Sequence, residues 1–224
     1  MRLALASCLA LAGCTSTPIE VRDSGVFQPG GRLLVRFKEP EAGKPWSGIL
    51  LDVTEVDDED EQELAPGEHV VLDGVDFFGP DTLAVEYELH QQCLAYAFGM
   101  EFPDQHLDAS LELGLGRVQS ELELASGATR ASETDTWDGF HLAAGLTWAA
   151  TALVGLEGRV ALITDLDDVG SEWRTIELGT RLFPRSTFAL FAGWRWVDVY
   201  QDHEDSSDLD LRASGPALAL RITL

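Results

Sequence analysis

Residues 187–200 alternate without a break. Phe188, Leu190, Ala192, Trp194, Trp196 and Tyr200 fall on one face, and Thr187, Ala189, Gly193 and Arg195 on the other, with Phe191 among them. A period of two is the signature of a β-strand, whose successive side chains point to opposite sides. The distribution constrains the fold more than the period does. One face carries bulky aromatics, and the other mixes small residues with an arginine. A sheet of such strands has a greasy face to cover and a crowded polar face behind it. Residues 174–183 and 209–224 flank this stretch and read as strands too. Pro184-Arg185-Ser186 and the acidic segment 201–207 are their connections.

The same alternation runs back to residue 82. In 82–89, Leu83, Val85, Tyr87 and Leu89 oppose Ala84, Glu86 and Glu88. Gln91-Gln92 reads as a turn. In 93–102, Leu94, Tyr96, Phe98, Met100 and Phe102 oppose Ala95, Ala97, Gly99 and Glu101. Residues 107–124 begin with Leu107, Ala109, Leu111, Leu113 and Leu115 in one phase and end with Val118, Leu122 and Leu124 in the other. A flip near Gly116-Arg117 predicts either a bulge in one long strand or a tight turn between two short ones. Residues 126–139 read as a polar loop, 140–148 and 152–164 as strands, and Gly215-Pro216 as a bulge. From residue 140 onwards, short connections (149–151, 184–186) alternate with longer polar ones (165–172, 201–207), as the two ends of a transmembrane barrel do. The count from residue 82 is eight strands if 107–124 is one strand.

Residues 14–31 contain Thr17-Pro18, Gln28-Pro29 and Gly30-Gly31 and read as a tether. Residues 32–38, 46–54 and 69–78 are further strand candidates, so 32–81 is either extra strands, bringing the total to ten or twelve, or a separate extension. Between them, Asp52, Glu55, Asp57, Asp58, Glu59, Asp60, Glu61 and Glu63 form the densest charge block. Clustered carboxylates suit a divalent cation, but the spacing lacks the glycine and terminal glutamate of an EF-hand loop. A solvated, self-repelling loop is the plainer reading.

Charge excludes some functions. Fifteen basic residues against 39 acidic ones leave a formal charge of −24. Nucleic-acid binding depends on neutralising phosphates with basic side chains, so no nucleic-acid partner is expected. No apolar run reaches the length of a membrane helix, which says nothing against a barrel. The histidines His69, His90, His106, His141 and His203 lack the spacing of a metal motif, and no hydrolase, phosphate-loop or dinucleotide signature occurs. No enzyme activity and no cofactor are therefore expected. Cys93 has Gln91, Gln92, Leu94 and Ala95 around it and no base in sequence, which favours a structural cysteine.

The polar faces carry charges of both signs. Glu86, Glu101, Glu157, Arg159, Glu177, Arg181 and Arg195 are predicted to form a charge network on an inner face, with Glu88 and Glu112 in the same inner set. Isolated charges in a narrow lumen are costly, and paired ones less so. The functional alternatives are an ion path or a catalytic carboxylate pair.

Residues 207–216, Ser207-Asp208-Leu209-Asp210-Leu211-Arg212-Ala213-Ser214-Gly215-Pro216, followed by alternating Leu218, Leu220, Ile222 and Leu224, resemble the terminal strand of small Gram-negative outer-membrane β-barrels of the OmpA-like or OmpX-like type. Leu178-Gly179 to Arg181 and Phe191-Ala192-Gly193-Trp194-Arg195 look like the two strands before it. The resemblance covers roughly residues 82–224. It departs from the family's usual pattern at Leu224, where the last residue is commonly Phe. It implies an all-β, antiparallel up-and-down β-barrel with a polar lumen, residence in outer-membrane lipid, and insertion by the barrel-assembly machinery. Leu11-Ala12-Gly13-Cys14, after Arg2 and the apolar stretch 3–10, resembles the lipobox of bacterial lipoproteins. That implies a signal peptide over 1–13 and a lipid on Cys14. The expected function is an outer-membrane barrel lipoprotein with a structural or surface-interaction role. The competing expectation is a soluble, lipid-anchored, lipocalin-like barrel that binds a small apolar ligand.

Overall fold

The computed structural model describes residues 16–37, 43–166, 170–202 and 206–224. The predicted signal and the lipid-bearing Cys14 lie outside them. The chain is all-β. Its strands are β1 (Ile19–Ser24), β2 (Gln28–Arg36), β3 (Pro45–Leu64), β4 (His69–Leu72), β5 (Val75–Phe78), β6 (Asp81–Phe102), β7 (Leu107–Ser126), β8 (Thr129–Trp148), β9 (Val154–Asp165), β10 (Glu172–Leu182), β11 (Phe188–Gln201) and β12 (Leu209–Thr223). Ten of them form one sheet in the order β1-β12-β11-β10-β9-β8-β7-β6-β3-β2, and β2 also pairs with β12. β4 and β5 make a separate hairpin.

The sheet is mixed, which corrects the expectation of a purely antiparallel one. From β2 and β3 through to β11 and β12 all neighbours are antiparallel, but β1 and β2 both run parallel to β12. They share one edge of it. Ile19–Ser24 pairs with Leu209–Ser214, the chain steps out at Gly25–Phe27, and Gln28 resumes opposite Ala217. Residues 19–24 and 28–31 are thus strand rather than tether. The step is packed closely, because a Cβ on Gly215 would lie 1.9 Å from the Val26 carbonyl oxygen.

Several predicted breaks are absent for one reason. β6 runs straight through Gln91-Gln92, β7 straight through Gly116-Arg117, and β12 straight through Gly215-Pro216, each in unbroken register with its antiparallel partners; on β12's other side the ladder is interrupted opposite Gly215-Pro216, where β1 gives way to β2. The acidic block 52–63 lies within β3, and most of the predicted loop 126–139 lies within β8. What changes along these strands is the polarity of the faces. On the exposed face, β7 presents Leu113 and Leu115, then Arg117, Gln119 and Glu121. On its buried face the order reverses, with Glu112 followed by Val118, Leu122 and Leu124. β6 does the same: Leu94, Tyr96 and Phe98 are exposed in one half, while Leu83, Val85, Tyr87 and Leu89 are buried in the other. A sequence phase flip is therefore a change of surroundings along a straight strand.

The change falls on one rung of the ladder. Leu51, Leu94, Leu115 and Phe140 are aligned across β3, β6, β7 and β8, and all four are exposed. The next outward row is Val53, Gln92, Arg117 and Asp138, where Arg117 holds Asp138 through two hydrogen bonds of 2.7 and 2.8 Å. Beyond it stand Asp57, Glu88 and Glu121, then Glu59, Glu86 and Glu123, each row paired directly across the strands.

In this acidic half the buried face forms the main apolar core. Trp173, Trp137, Tyr87, Leu83, Leu124, Val199 and Leu209 pack together, and the β4–β5 hairpin adds Val70, Leu72 and Phe77. Ser207 ties the hairpin down. Its amide donates to the Val71 carbonyl at 2.8 Å, and its hydroxyl accepts from the Val71 amide at 2.9 Å. The hairpin satisfies its own backbone and buries one face, which is why a four-residue pair of strands persists there.

Gly215→Val should destabilise the β1–β2 step by about 1–3 kcal/mol, the usual cost of forced overpacking. Chemical denaturation with far-UV circular dichroism measures it, against Gly127→Ala in an open turn at φ +57, where the cost is only that of backbone strain.

Candidate functional site

In the other half of the sheet the buried face is polar. Small residues (Gly30, Ala95, Ala97, Gly114, Gly145, Gly179, Gly193, Ala217, Ala219) make room there for long charged side chains. Glu177 on β10 is the hub. Its Oε1 accepts from Arg195 Nε at 2.9 Å and Nη2 at 2.7 Å, and its Oε2 accepts from Arg221 Nη2 at 2.9 Å and Arg32 Nη2 at 3.4 Å. Arg159 on β9 binds Glu112 of β7 at 2.6 Å and Asp52 of β3 at 3.0 Å. Arg32 of β2 joins the two groups through Asp52 at 3.2 Å and Glu157 at 3.6 Å. Glu157 also meets Arg221 at 3.2 Å and Arg181 at 3.5 Å. Nearer the strand ends, Arg36 pairs with Glu101 at 2.8 Å and Asp108 at 3.1 Å and stacks over Trp46, whose indole N–H also donates to Asp108.

Among the described residues, the cluster and the adjoining Arg36 group together hold six arginines (32, 36, 159, 181, 195, 221) and six carboxylates (52, 101, 108, 112, 157, 177), so their charges balance. The chain's charge of −24 lies elsewhere. Most members are almost fully enclosed: the side chains of Glu177 and Arg195 are 2 % and 1 % exposed. Charges at that depth persist only when paired on several sides.

Of the predicted network, Glu157, Arg159, Glu177, Arg181 and Arg195 meet in one cluster, and Glu101 pairs with Arg36 in a second group beside it. Glu86 does not. It is exposed on the acidic half, paired in register with Glu59 and Glu123. Its strand is inverted relative to the sequence reading, because 82–89 and 93–102 are one strand crossing the polarity change. Arg32, Arg36, Asp52, Asp108 and Arg221 are the members the prediction lacks. Asp52 stood in the acidic block, and only its place one residue before Val53, inside an apolar alternation, marks it as different.

Cys93 sits beside a base that its sequence neighbours do not supply. His141 Nδ1 lies 3.3 Å from Sγ, Gln91 Nε2 donates to Sγ at 2.6 Å, and His141 Nε2 is 3.4 Å from Glu112 Oε2. Cysteine, histidine and carboxylate in line have the layout of a nucleophile with its base and orienting acid. Two observations keep the structural reading. Cys93 and His141 are 4 % and 1 % exposed, and Glu112 is engaged by Arg159.

Two cavities adjoin the cluster. One of about 770 Å³ opens at the strand ends among Arg36, Glu101, Arg181, Arg185, Phe37 and Leu224. A smaller one, about 60 Å³, lies within the cluster. On the exposed acidic half, Glu55, Glu88 and His90 bring one donor atom each within 4.8 Å of one another, a set chemically able to hold a divalent cation. His90 Nε2 is already 2.8 Å from Glu88. At the start of β6, at the far end of the acidic half, the Ser126 hydroxyl and the Thr82 amide hold the Asp81 carboxyl below its usual range.

Glu177→Gln should cost about 3–5 kcal/mol in denaturant unfolding, because it removes the carboxylate that pairs with the buried Arg195 and takes one partner each from Arg32 and Arg221. Glu86→Gln should change the same measurement by under about 0.5 kcal/mol, as an exposed surface substitution.

No family model, curated protein or solved structure matches this chain.

Proposed function

We propose that the ten-stranded sheet closes on itself as a β-barrel through the β2–β12 pairing, and that its apolar half spans a lipid bilayer, the bacterial outer membrane. The observation that carries this reading is the common rung at which the exposed face turns from apolar to polar. Below that rung the exposed side chains include Leu115 at 59 %, Leu178 at 59 %, Phe188 at 60 %, Leu156 at 52 % and Val160 at 52 %. A soluble protein does not leave so continuous an apolar surface uncovered. The apolar stretch on each strand is about nine residues. At a rise of about 3.3 Å and a tilt of about 40° it stands roughly 23 Å tall, close to the apolar band of membrane barrels. Trp148, Trp194 and Trp196 lie on this surface, the residue type that anchors at lipid boundaries.

The arginine–carboxylate cluster then plugs the lumen at the level of the bilayer. The hairpin β4–β5 closes the half beyond it. The acidic exposed rows of β3, β6 and β7 rise into water, and the role we assign is structural or adhesive, carried by that water-facing half. The chain is read as an exported lipoprotein bearing its acyl group on Cys14, with insertion by the barrel-assembly machinery. No catalytic role is assigned. A lipocalin-like binder would line its cavity with aromatics. Here Tyr87, Trp137 and Trp173 belong to the core that includes the hairpin, Trp46 and Phe191 lie under Arg36 and Arg221, and the larger cavity is edged by Arg36, Arg181, Glu101 and Asp108 as well as Phe37 and Phe102.

The test replaces residues 1–14 with an ordinary cleavable export signal, so that no acyl anchor forms, and washes the membranes with alkaline carbonate. The protein should stay in the pellet. Release as a folded soluble protein would instead support a lipid-anchored binding module. Val160→Arg, aligned with Ala144 and Leu111 midway along their apolar stretches, should cost about 2–4 kcal/mol of insertion free energy and reduce the carbonate-resistant fraction.

A further inference from the structure

We propose that the small cavity inside the arginine–carboxylate cluster is a binding site for a small inorganic anion, with chloride as the probe of that class. The argument rests on the balance of donors and acceptors around it. Arg32, Arg36, Arg159, Arg181 and Arg221 line the cavity, against the carboxylates of Asp108, Glu112 and Glu157. Arg221 is the central group. Its side chain is 3 % exposed, and only Nη2 is used, on Glu177 and Glu157. Its Nη1 and Nε have no hydrogen-bond partner among the described residues, nor do Nε of Arg32, Arg36 and Arg181.

The acceptors are largely committed. Glu112 takes Arg159 on both oxygens, and Asp108 takes Arg36 on one oxygen and Trp46 on the other. Among the described residues lining the cavity, the one buried carboxylate oxygen without a hydrogen bond is Glu157 Oε2, which Arg181 Nη1 approaches to 3.5 Å. Five buried N–H-bearing positions therefore face one free acceptor. A buried donor left unmet costs about 1–3 kcal/mol, so the group that completes this site is an acceptor and not a cation. Water brings two donors of its own for each oxygen. Ser110, Thr147 and Thr223 complete the lining with hydroxyls, which donate as readily as they accept. An anion accepts from several N–H groups and adds no donor.

Size and access agree. The cavity of about 60 Å³ exceeds the roughly 30 Å³ that one water occupies in the liquid, and chloride is of comparable size. It shares Arg36, Asp108, Thr147, Arg181 and Thr223 with the larger cavity, which opens at the strand ends. An ion can thus enter from that end without parting the sheet. Phosphate or sulfate would need more room.

The test uses the full chain in detergent. Crystals soaked in bromide should give one anomalous peak in the cavity, within hydrogen-bonding distance of Arg221 Nη1. The melting midpoint should rise by a few degrees when chloride replaces gluconate at constant ionic strength, as for any ligand bound only by the folded state. Arg181→Gln, at the cavity's open side, should diminish that rise and leave the protein folded, which Arg221→Gln need not do. Bromide found only on the outer surface, or the same midpoint in both salts, overturns the proposal. Carbonate extraction does not read this site, so failure here leaves the membrane reading standing, and a soluble protein that binds bromide would separate the two in the opposite sense.

Discussion

Glu177 and the arginines around it are the interaction on which the rest of this structure depends. Glu177 touches Arg32, Arg195 and Arg221, which come from β2, β11 and β12. Those three strands include the parallel seam where the two ends of the chain meet. A single buried carboxylate thus joins the first strands of the sheet to the last ones. The seam's backbone pairing between β2 and β12 covers Ala217–Thr223, as many pairs as β2 makes with β3 and fewer than the antiparallel ladders from β3 to β12. Side-chain charge reinforces it at a place where backbone pairing is short. Paired burial is costly for each ion alone, so the cluster makes misplacement of any one strand expensive. That is a reason for geometry to be specific rather than a large source of net stability.

The cluster also explains the small residues beside it. Glycine and alanine occupy the buried face of β6, β7, β8, β10 and β12 at the levels where the guanidinium groups cross. A larger residue at these points would meet a neighbouring strand or the charged side chains themselves. At Gly30, a Cβ would lie 3.1 Å from Arg195 Nη2. Beyond the polarity change the same faces carry Leu, Val, Tyr and Trp, because nothing long and charged needs the space. In the proposed barrel, lipid on the outside goes with charge on the inside, and water on the outside with an apolar core on the inside. Each half buries the side chains that its exterior does not admit. The proposed anion site sits where that logic leaves more donors than acceptors.

The period of two, the all-β class and most strand positions after residue 140 were legible in the sequence, because alternation is a local property of the chain. The inward placement of Glu157, Arg159, Glu177 and Arg195 followed from it. The reading failed where the surroundings change along a strand. At Gln91-Gln92 and Gly116-Arg117, a straight strand passing between two environments looks the same in sequence as a strand with a turn or bulge. Glu86 was misplaced on that account. Asp52 and Arg32 were missed for a related reason: their partners, Arg159 and Glu177, are remote in sequence.

By itself, then, the sequence determined that this chain makes strands, which residues share a face within each unbroken run, and that its net charge is strongly negative. Alternation and composition act locally, and no partner is needed to read them. Only the tertiary structure decided which face is buried in each half, how many strands share the sheet, that the N-terminal strands run parallel to the last one, and that Cys93 faces His141. Those facts depend on register and on contacts between residues far apart in the chain. A two-residue period is the same whether its apolar side faces inwards or outwards.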